Sequence, residues 1–164
     1  MAMSLSDRAR YLVITSCGLG LSPVAPGTVG TLGGVALAVL LQATLPGHVV
    51  AAWWITSGAL FALGCTTSAF VARTFPNEDP GAFVLDEVVG YLVTVAVYAT
   101  LRGLPDATGH AVAFFMFRFF DVAKIQPARR LEDLPGAFGI MADDQVAGLY
   151  AGLATMGVIT LFGW

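Results

Sequence analysis

Charged side chains are scarce in this 164-residue chain, where Asp, Glu, Lys and Arg together make up 12% of the residues. Eleven acidic residues outnumber eight Lys and Arg, which gives a formal net charge of −3 at pH 7. No block of basic residues occurs, and its absence argues against nucleic acid as a partner. Because charge is so rare, the places where it clusters are the most informative features of the sequence.

Cysteine and histidine are scarce as well, with two of each. Cys17 and Cys65 lie in apolar segments without metal-ligand spacing, so we interpret them as small buried residues and not as a disulfide framework. His48 and His110 are far apart and have no His or Cys nearby, so no zinc site is expected.

Apolar residues make up 57% of the chain, and the mean hydropathy is +0.78. One domain of this length cannot hide that much apolar surface in its own interior, so lipid is the expected solvent for much of it. The segment from Val49 to Ala72 carries no charge and is the clearest candidate to span about 30 Å of hydrocarbon. The other apolar segments are Leu32–Leu45, Val88–Leu101, a short one at His110–Phe120, and Gln145–Trp164. We therefore predict a single all-α domain over residues 1–164, a membrane bundle of four to five apolar helices.

The N-terminus imitates a signal peptide, because Arg8 and Arg10 precede the apolar run Tyr11–Leu21. That run is short, and glycines and prolines follow it at once, so we expect the segment to be retained. In the Pro/Gly-rich loop that follows, Thr28 or Thr31 is expected to cap the next helix. Free N–H groups at such a helix start can form a phosphate-binding site. The alternative is an ordinary loop with a capped helix.

Two acidic pairs, Asp86-Glu87 and Asp143-Asp144, are expected at the starts of two helices. A third group, Arg118, Asp121 and Lys124, recurs every three residues where an aromatic run ends, which places it near one face of a helix. Adjacent carboxylates at an apolar boundary are costly unless a cation neutralises them, and all-oxygen ligands favour Mg²⁺. Arg118 and Lys124 would then contact phosphate. The alternative is a set of solvated helix ends whose charges fix the topology.

Basic residues also indicate orientation. Arg8 and Arg10, the polar stretch Arg73–Asp79, and Lys124 with Arg129 and Arg130 share one side if the helices alternate. The positive-inside rule makes that side cytoplasmic. The acidic pairs then fall on the same face, which predicts a Mg²⁺-dependent phosphate site at the inner surface of the membrane, and hence a phospholipid head group as substrate.

Four separated motifs resemble those of the phosphatidylglycerophosphatase A family over nearly the whole chain. They are GLGLSPVAPGTVGTL at Gly18–Leu32, VLDEVVG at Val84–Gly90, FRFFDVAK at Phe117–Lys124 and GIMADDQVAG at Gly139–Gly148. The resemblance implies a multihelical fold in the bacterial inner membrane. It also implies Mg²⁺-dependent dephosphorylation of phosphatidylglycerophosphate to phosphatidylglycerol.

By motif, the resemblance implies that the metal and catalytic carboxylates are Asp86, Glu87, Asp121, Asp143 and Asp144. It makes Arg118 and Lys124 the phosphate contacts. The family usually continues Lys-Pro where this chain reads Lys124-Ile125, so the resemblance defines the loop after Lys124 less closely.

Three hypotheses follow. In the first, the chain is a lipid phosphate monoesterase, in which water, or an aspartate through a phosphoenzyme, attacks phosphorus. In the second, it is a small membrane transport or assembly protein whose acidic pairs bind cations in a midplane cavity. In the third, it is a soluble all-α phosphatase.

Overall fold

The computed structural model describes residues 3–75, 81–131, 134 and 136–163, and within these ranges the regular structure is entirely helical. The prediction of an all-α fold is confirmed. The helices are α1 Leu5–Ile14, α2 Pro26–Thr44, α3 Val49–Cys65, α4 Ser68–Thr74, α5 Leu85–Arg102, α6 Ala107–Ala123, α7 Ala128–Leu131 and α8 Ala137–Phe162, with a 3-10 turn at Leu19–Leu21. Parts of the predicted polar stretches, residues 76–80, 132, 133 and 135, lie outside the described residues.

Helix α5 is the centre of the bundle and contacts α2, α3, α6 and α8. Its run of Val, Leu, Ala and Tyr is apolar on every face, and all residues from Leu85 to Ala99 are buried except the partly buried Glu87. A helix that is apolar all round must be covered by other helices or by lipid, and here the neighbouring helices cover it. The charged residues of α5 therefore lie at its ends, Asp86 and Glu87 in the first turn and Arg102 in the last.

Glycines bring α5 and α8 into backbone contact. A Cβ built on Gly148 would lie 2.5 Å from the carbonyl oxygen of Gly90, and one on Gly152 would lie 2.8 Å from the carbonyl oxygen of Thr94. The contact moves forward along both helices together, so α5 and α8 run in the same direction, with α6 as the return between them. Only residues without side chains permit this approach, which also brings the N-terminal parts of the two helices together.

Two helices, α2 and α8, are long and apolar enough to cross a membrane, and the pair α3 and α4 makes a third if its two parts form one span. The predicted span Val49–Ala72 corresponds to this pair, and the chain bends by 49° between α3 and α4. At the break, the Thr67 hydroxyl donates to the carbonyl oxygen of Gly64 at 2.6 Å. The short segment predicted at His110–Phe120 extends at both ends into α6.

A buried polar network ties α2, α5 and α6 together. The Tyr91 hydroxyl lies 2.9 Å from His110 Nδ1, and His110 Nε2 lies 3.1 Å from the Gln42 side-chain oxygen. The Gln42 amide in turn donates to the Pro105 carbonyl oxygen at 3.0 Å. His110 is therefore a hydrogen-bonded core residue.

Both cysteines are free, and the prediction that they are buried is wrong, because Cys17 is exposed and Cys65 is only partly buried. Cys17 follows the end of α1 in a turn with φ 59°, where the chain leaves the helix at the surface.

Candidate active site

A cavity of about 520 Å³ opens where the start of α2, the start of α5, the end of α6 and the N-terminal part of α8 meet. All seven charged residues that the sequence singled out line it: Asp86, Glu87, Arg118, Asp121, Lys124, Asp143 and Asp144. Five carboxylates thus face two basic side chains. Such an excess of negative charge in a part-buried cavity calls for a cation.

The acidic pair of α5 lies in the first helical turn, as predicted. Asp86 is 8% exposed, and its Oδ1 accepts a hydrogen bond from the Glu87 backbone N–H at 3.0 Å. That N–H is one of the groups at a helix start that have no partner within the helix, and the helix dipole also favours an anion there. The local structure therefore stabilises the Asp86 carboxylate.

The acidic pair of α8 is not at a helix start, so this prediction is wrong. The helix begins at Ala137, more than a turn before Asp143 and Asp144. These side chains are 6% and 4% exposed, because the glycine contact with α5 presses this part of α8 into the bundle. The Asp143 charge is compensated from outside the helix, because Lys124 Nζ donates to Asp143 Oδ2 at 3.1 Å.

Arg118 connects three elements at the cavity wall. Its Nη1 forms an ion pair with Asp121 one turn further along α6, and it lies 3.9 Å from Glu87 Oε1 on α5. The same nitrogen donates to the Thr31 hydroxyl of α2 at 3.4 Å. The predicted helical spacing of Arg118 and Asp121 is confirmed.

Lys124 is the C-cap residue of α6 and adopts a left-handed conformation with φ 44°. Its backbone N–H closes the helix on the Phe120 carbonyl oxygen. Non-glycine residues in this conformation carry a cost and often occur at functional sites. Here the turn accompanies a Lys124 side chain that reaches across to α8.

Three of the five carboxylates form a group that could hold a metal ion. One oxygen from each of Asp86, Glu87 and Asp144 lies within 4.8 Å of the others. Glu87 Oε2 is buried and has no hydrogen-bond partner among the described residues. Unsatisfied buried oxygens are rare in proteins, and an all-oxygen donor set suits Mg²⁺. The residues present therefore fit a hard divalent cation, with Asp121 and Asp143 next to the basic side chains.

The start of α2 completes the cavity wall through Ala25, Pro26 and Gly27. The prediction that Thr28 or Thr31 caps this helix is wrong, because the N-cap is Ala25 and no side chain caps it. Thr31 is buried within the helix, and its hydroxyl donates to the Gly27 carbonyl oxygen at 2.9 Å. Sequence reasoning missed Gly27, although a glycine at the second position of a long helix is a visible signal.

The fold and the site together define a class: a helical bundle with helices apolar enough to cross a membrane, and an oxygen-rich cavity suited to a divalent cation and an anionic ligand. A sequence profile of the phosphatidylglycerophosphatase A family matches residues 12–159. The chain belongs to this family and is therefore a phosphoric monoester hydrolase.

Three curated relatives span most of the chain. A phosphatidylglycerophosphatase A of Haemophilus influenzae is 35% identical over 144 residues, covering 86% of this chain and 83% of the relative. The Escherichia coli protein of the same name is 32% identical, covering 85% and 77%. A putative phosphatidylinositol-3-phosphatase of Bacteroides thetaiotaomicron is 34% identical, covering 85% and 87%. No solved structure matches the chain.

Proposed function

We propose that this chain is a Mg²⁺-dependent lipid phosphatase that hydrolyses phosphatidylglycerophosphate to phosphatidylglycerol and phosphate, as a step of phospholipid synthesis. We place the cavity at the cytoplasmic face of a bacterial inner membrane. The observation that carries the proposal is the convergence of five carboxylates and two basic side chains in one cavity among apolar helices. The family and the relatives named phosphatidylglycerophosphatase A support the substrate.

Asp86, Glu87 and Asp144 are the residues that would hold the ion, since their oxygens are grouped and one of them is buried without a partner. When bound, Mg²⁺ supplies positive charge that offsets the charge on phosphoryl oxygens. Without that charge, a phosphate dianion would enter a cavity that already has three more acidic than basic side chains. This repulsion is the physical reason for the expected dependence on Mg²⁺.

Arg118 and Lys124 bind phosphate oxygens in this proposal. Both are paired with carboxylates, Arg118 with Asp121 and Lys124 with Asp143. The phosphate would join these pairs and receive charge-assisted hydrogen bonds, while the backbone N–H groups at the start of α2, which also lines the cavity, add donors.

Asp121 and Asp143 are then the residues closest to the phosphate-binding cations. One of them takes the proton of the attacking water, or attacks phosphorus itself and forms an aspartyl phosphate that water later cleaves. The lipid alkoxide leaves as the P–O bond breaks. It takes the proton that the aspartic acid holds in the first route, and a proton from water in the second. The position of Asp86 and Glu87 in the first turn of α5 supports a site near a helix end and argues against a transport cavity at the membrane midplane.

The head group is the part of the substrate that the family name alone does not decide, since one relative is named for a phosphoinositide. The test is phosphate release by the purified full-length protein from phosphatidylglycerophosphate, phosphatidylinositol-3-phosphate and a soluble phosphomonoester, each with Mg²⁺ or EDTA. We expect release from the first lipid with Mg²⁺ only. Release that EDTA does not reduce, or equal release from all three substrates, contradicts the proposal.

A further inference from the structure

Gly27 lies where α2 comes closest to the acidic group. A Cβ built on Gly27 would lie 2.3 Å from Glu87 Oε1, and 3.2 and 3.3 Å from Nη1 and Nη2 of Arg118. Non-bonded carbon and oxygen atoms do not approach to 2.3 Å, so any side chain here must displace the Glu87 carboxylate. Gly27 itself lines the cavity.

We propose that Gly27 is a positioning residue: its missing side chain leaves the space in which the Glu87 carboxylate stands between Arg118 and the other acidic ligands. This inference rests on the proposed function for its link to catalysis, and its link to ion binding can be tested separately. It adds to the site a residue that carries no functional group.

Neighbouring groups restrict the directions in which the Glu87 carboxylate could move. One oxygen of Asp86 and one of Asp144 lie within 4.8 Å of a Glu87 oxygen, so a shift of Glu87 toward either of them brings like charges closer together. Its Oε2 is already buried, and Arg118 Nη1 is 3.9 Å from Oε1. A methyl group at position 27 therefore changes the geometry of the acidic group or separates Glu87 from Arg118.

The clash at Gly27 differs in kind from those at the structural glycines. At Gly20 and Gly148 an added Cβ would meet backbone carbonyl oxygens, of Ala82 and Gly90 respectively, which the fold holds in place. At Gly27 it would meet the ends of two long side chains. Gly27→Ala should consequently fold, with its damage confined to the site.

The experiment measures ion binding without substrate. The full-length protein, its Gly27→Ala variant and the control variants Gly58→Ala and Gly157→Ala are purified in detergent, and each is unfolded by heat over a range of Mg²⁺ concentrations. An added Cβ meets nothing within 4 Å at Gly58 or Gly157.

For Gly27→Ala we expect a melting temperature in EDTA within about 4 °C of the parent protein. We expect the Mg²⁺ concentration that gives half the stabilisation to rise roughly 10-fold or more, as when a group that orients a metal ligand is lost. The controls should match the parent protein.

Rescue separates positioning from a general effect. Glu87→Asp shortens the side chain that the new methyl group would contact. In Gly27→Ala/Glu87→Asp, the Mg²⁺ concentration for half the stabilisation should therefore rise by less than the product of the fold-increases in the two single variants. The inference is overturned if Gly27→Ala has the same Mg²⁺ dependence as the parent protein. It is also overturned if the fold-increase in the double variant equals or exceeds the product of the two single fold-increases.

The two proposals fail in different ways. If the parent protein is stabilised by Mg²⁺ but releases no phosphate from the lipid, the proposed function falls, and the ion titration still decides the role of Gly27. If Mg²⁺ does not stabilise the parent protein, both proposals are overturned.

Discussion

Gly148 of α8 rests against the carbonyl oxygen of Gly90 of α5, so closely that a Cβ on Gly148 would lie 2.5 Å from that oxygen. Each glycine follows an acidic residue by four positions, about one helical turn: Gly90 follows Asp86, and Gly148 follows Asp144. The glycine contact therefore lies one turn from the acidic group and sets the separation of two of its carboxylates.

Gly148→Ala should destabilise the protein and impair the site together. Because the clash is with backbone, the helices must separate, and overpacking of this kind costs about 1–3 kcal/mol. Unfolding by heat in detergent measures the loss, and phosphate release measures the effect on the site. Gly157→Ala on the same helix is the matched control, since its Cβ meets open space. Equal stability of the two variants would contradict the role assigned to the glycine contact.

Asp144→Asn should stabilise the protein in the absence of Mg²⁺ and reduce the further stabilisation that Mg²⁺ gives. Without the ion, removing one of several crowded negative charges relieves repulsion, so the melting temperature in EDTA should rise. With Mg²⁺, the variant should gain less stabilisation than the parent protein, because ligand-induced stabilisation follows the dissociation constant. Phosphate release should fall roughly 10²–10³-fold.

Asp7→Asn removes one negative charge outside the cavity and serves as the control for Asp144→Asn. Asp7 pairs with Arg73 and Arg10 at the surface, where single ion pairs contribute little. The variant should keep the Mg²⁺ response of the parent protein. An Asp144→Asn variant that behaves like Asp7→Asn would remove Asp144 from the ion site.

Lysine should not replace Arg118 without loss of activity, so we expect Arg118→Lys to be impaired. The guanidinium contacts Glu87, Asp121 and Thr31 from one position, whereas a lysine ammonium is a single point charge on a flexible stem. We expect kcat/KM for the lipid to fall at least about 10-fold, in line with the loss of one charge-assisted contact to the phosphate. Arg129→Lys, at an exposed position of α7, is the control. Full activity of Arg118→Lys would show that positive charge alone is sufficient there.

The orientation of the chain can be tested with single cysteines in a background without Cys17 and Cys65. Cysteine at exposed Arg129, in the short helix after Lys124, should react with an impermeant thiol reagent only from the cytoplasmic side. Cysteine at exposed Gly47, in the turn between α2 and α3, should react only from the opposite side. Labelling of both positions from one side would contradict the alternating arrangement. Labelling of the Arg129→Cys variant from outside would place the cavity on the side opposite the cytoplasm.

The sequence alone determined the helical class and the seven charged residues of the cavity. In a chain with so few charges, each one placed within apolar segments is costly and so marks a requirement, and helical spacing predicts that Arg118 and Asp121 can pair. These inferences need only composition and local periodicity. The same local reasoning failed for the start of α8, where no cap residue marks that the helix begins before Asp143, and for α2, whose N-cap is Ala25 rather than a threonine.

Only the tertiary structure decided how the charged residues divide into a group of three carboxylates and two ion pairs, and which glycines make that division possible. Periodicity determines which face of a helix a residue occupies, but not which face of another helix it will meet. That choice depends on the close packing of α5 against α2 and α8, where the missing side chains of Gly27, Gly90 and Gly148 set the distances. Since such contacts join residues far apart in the chain, no local pattern encodes them.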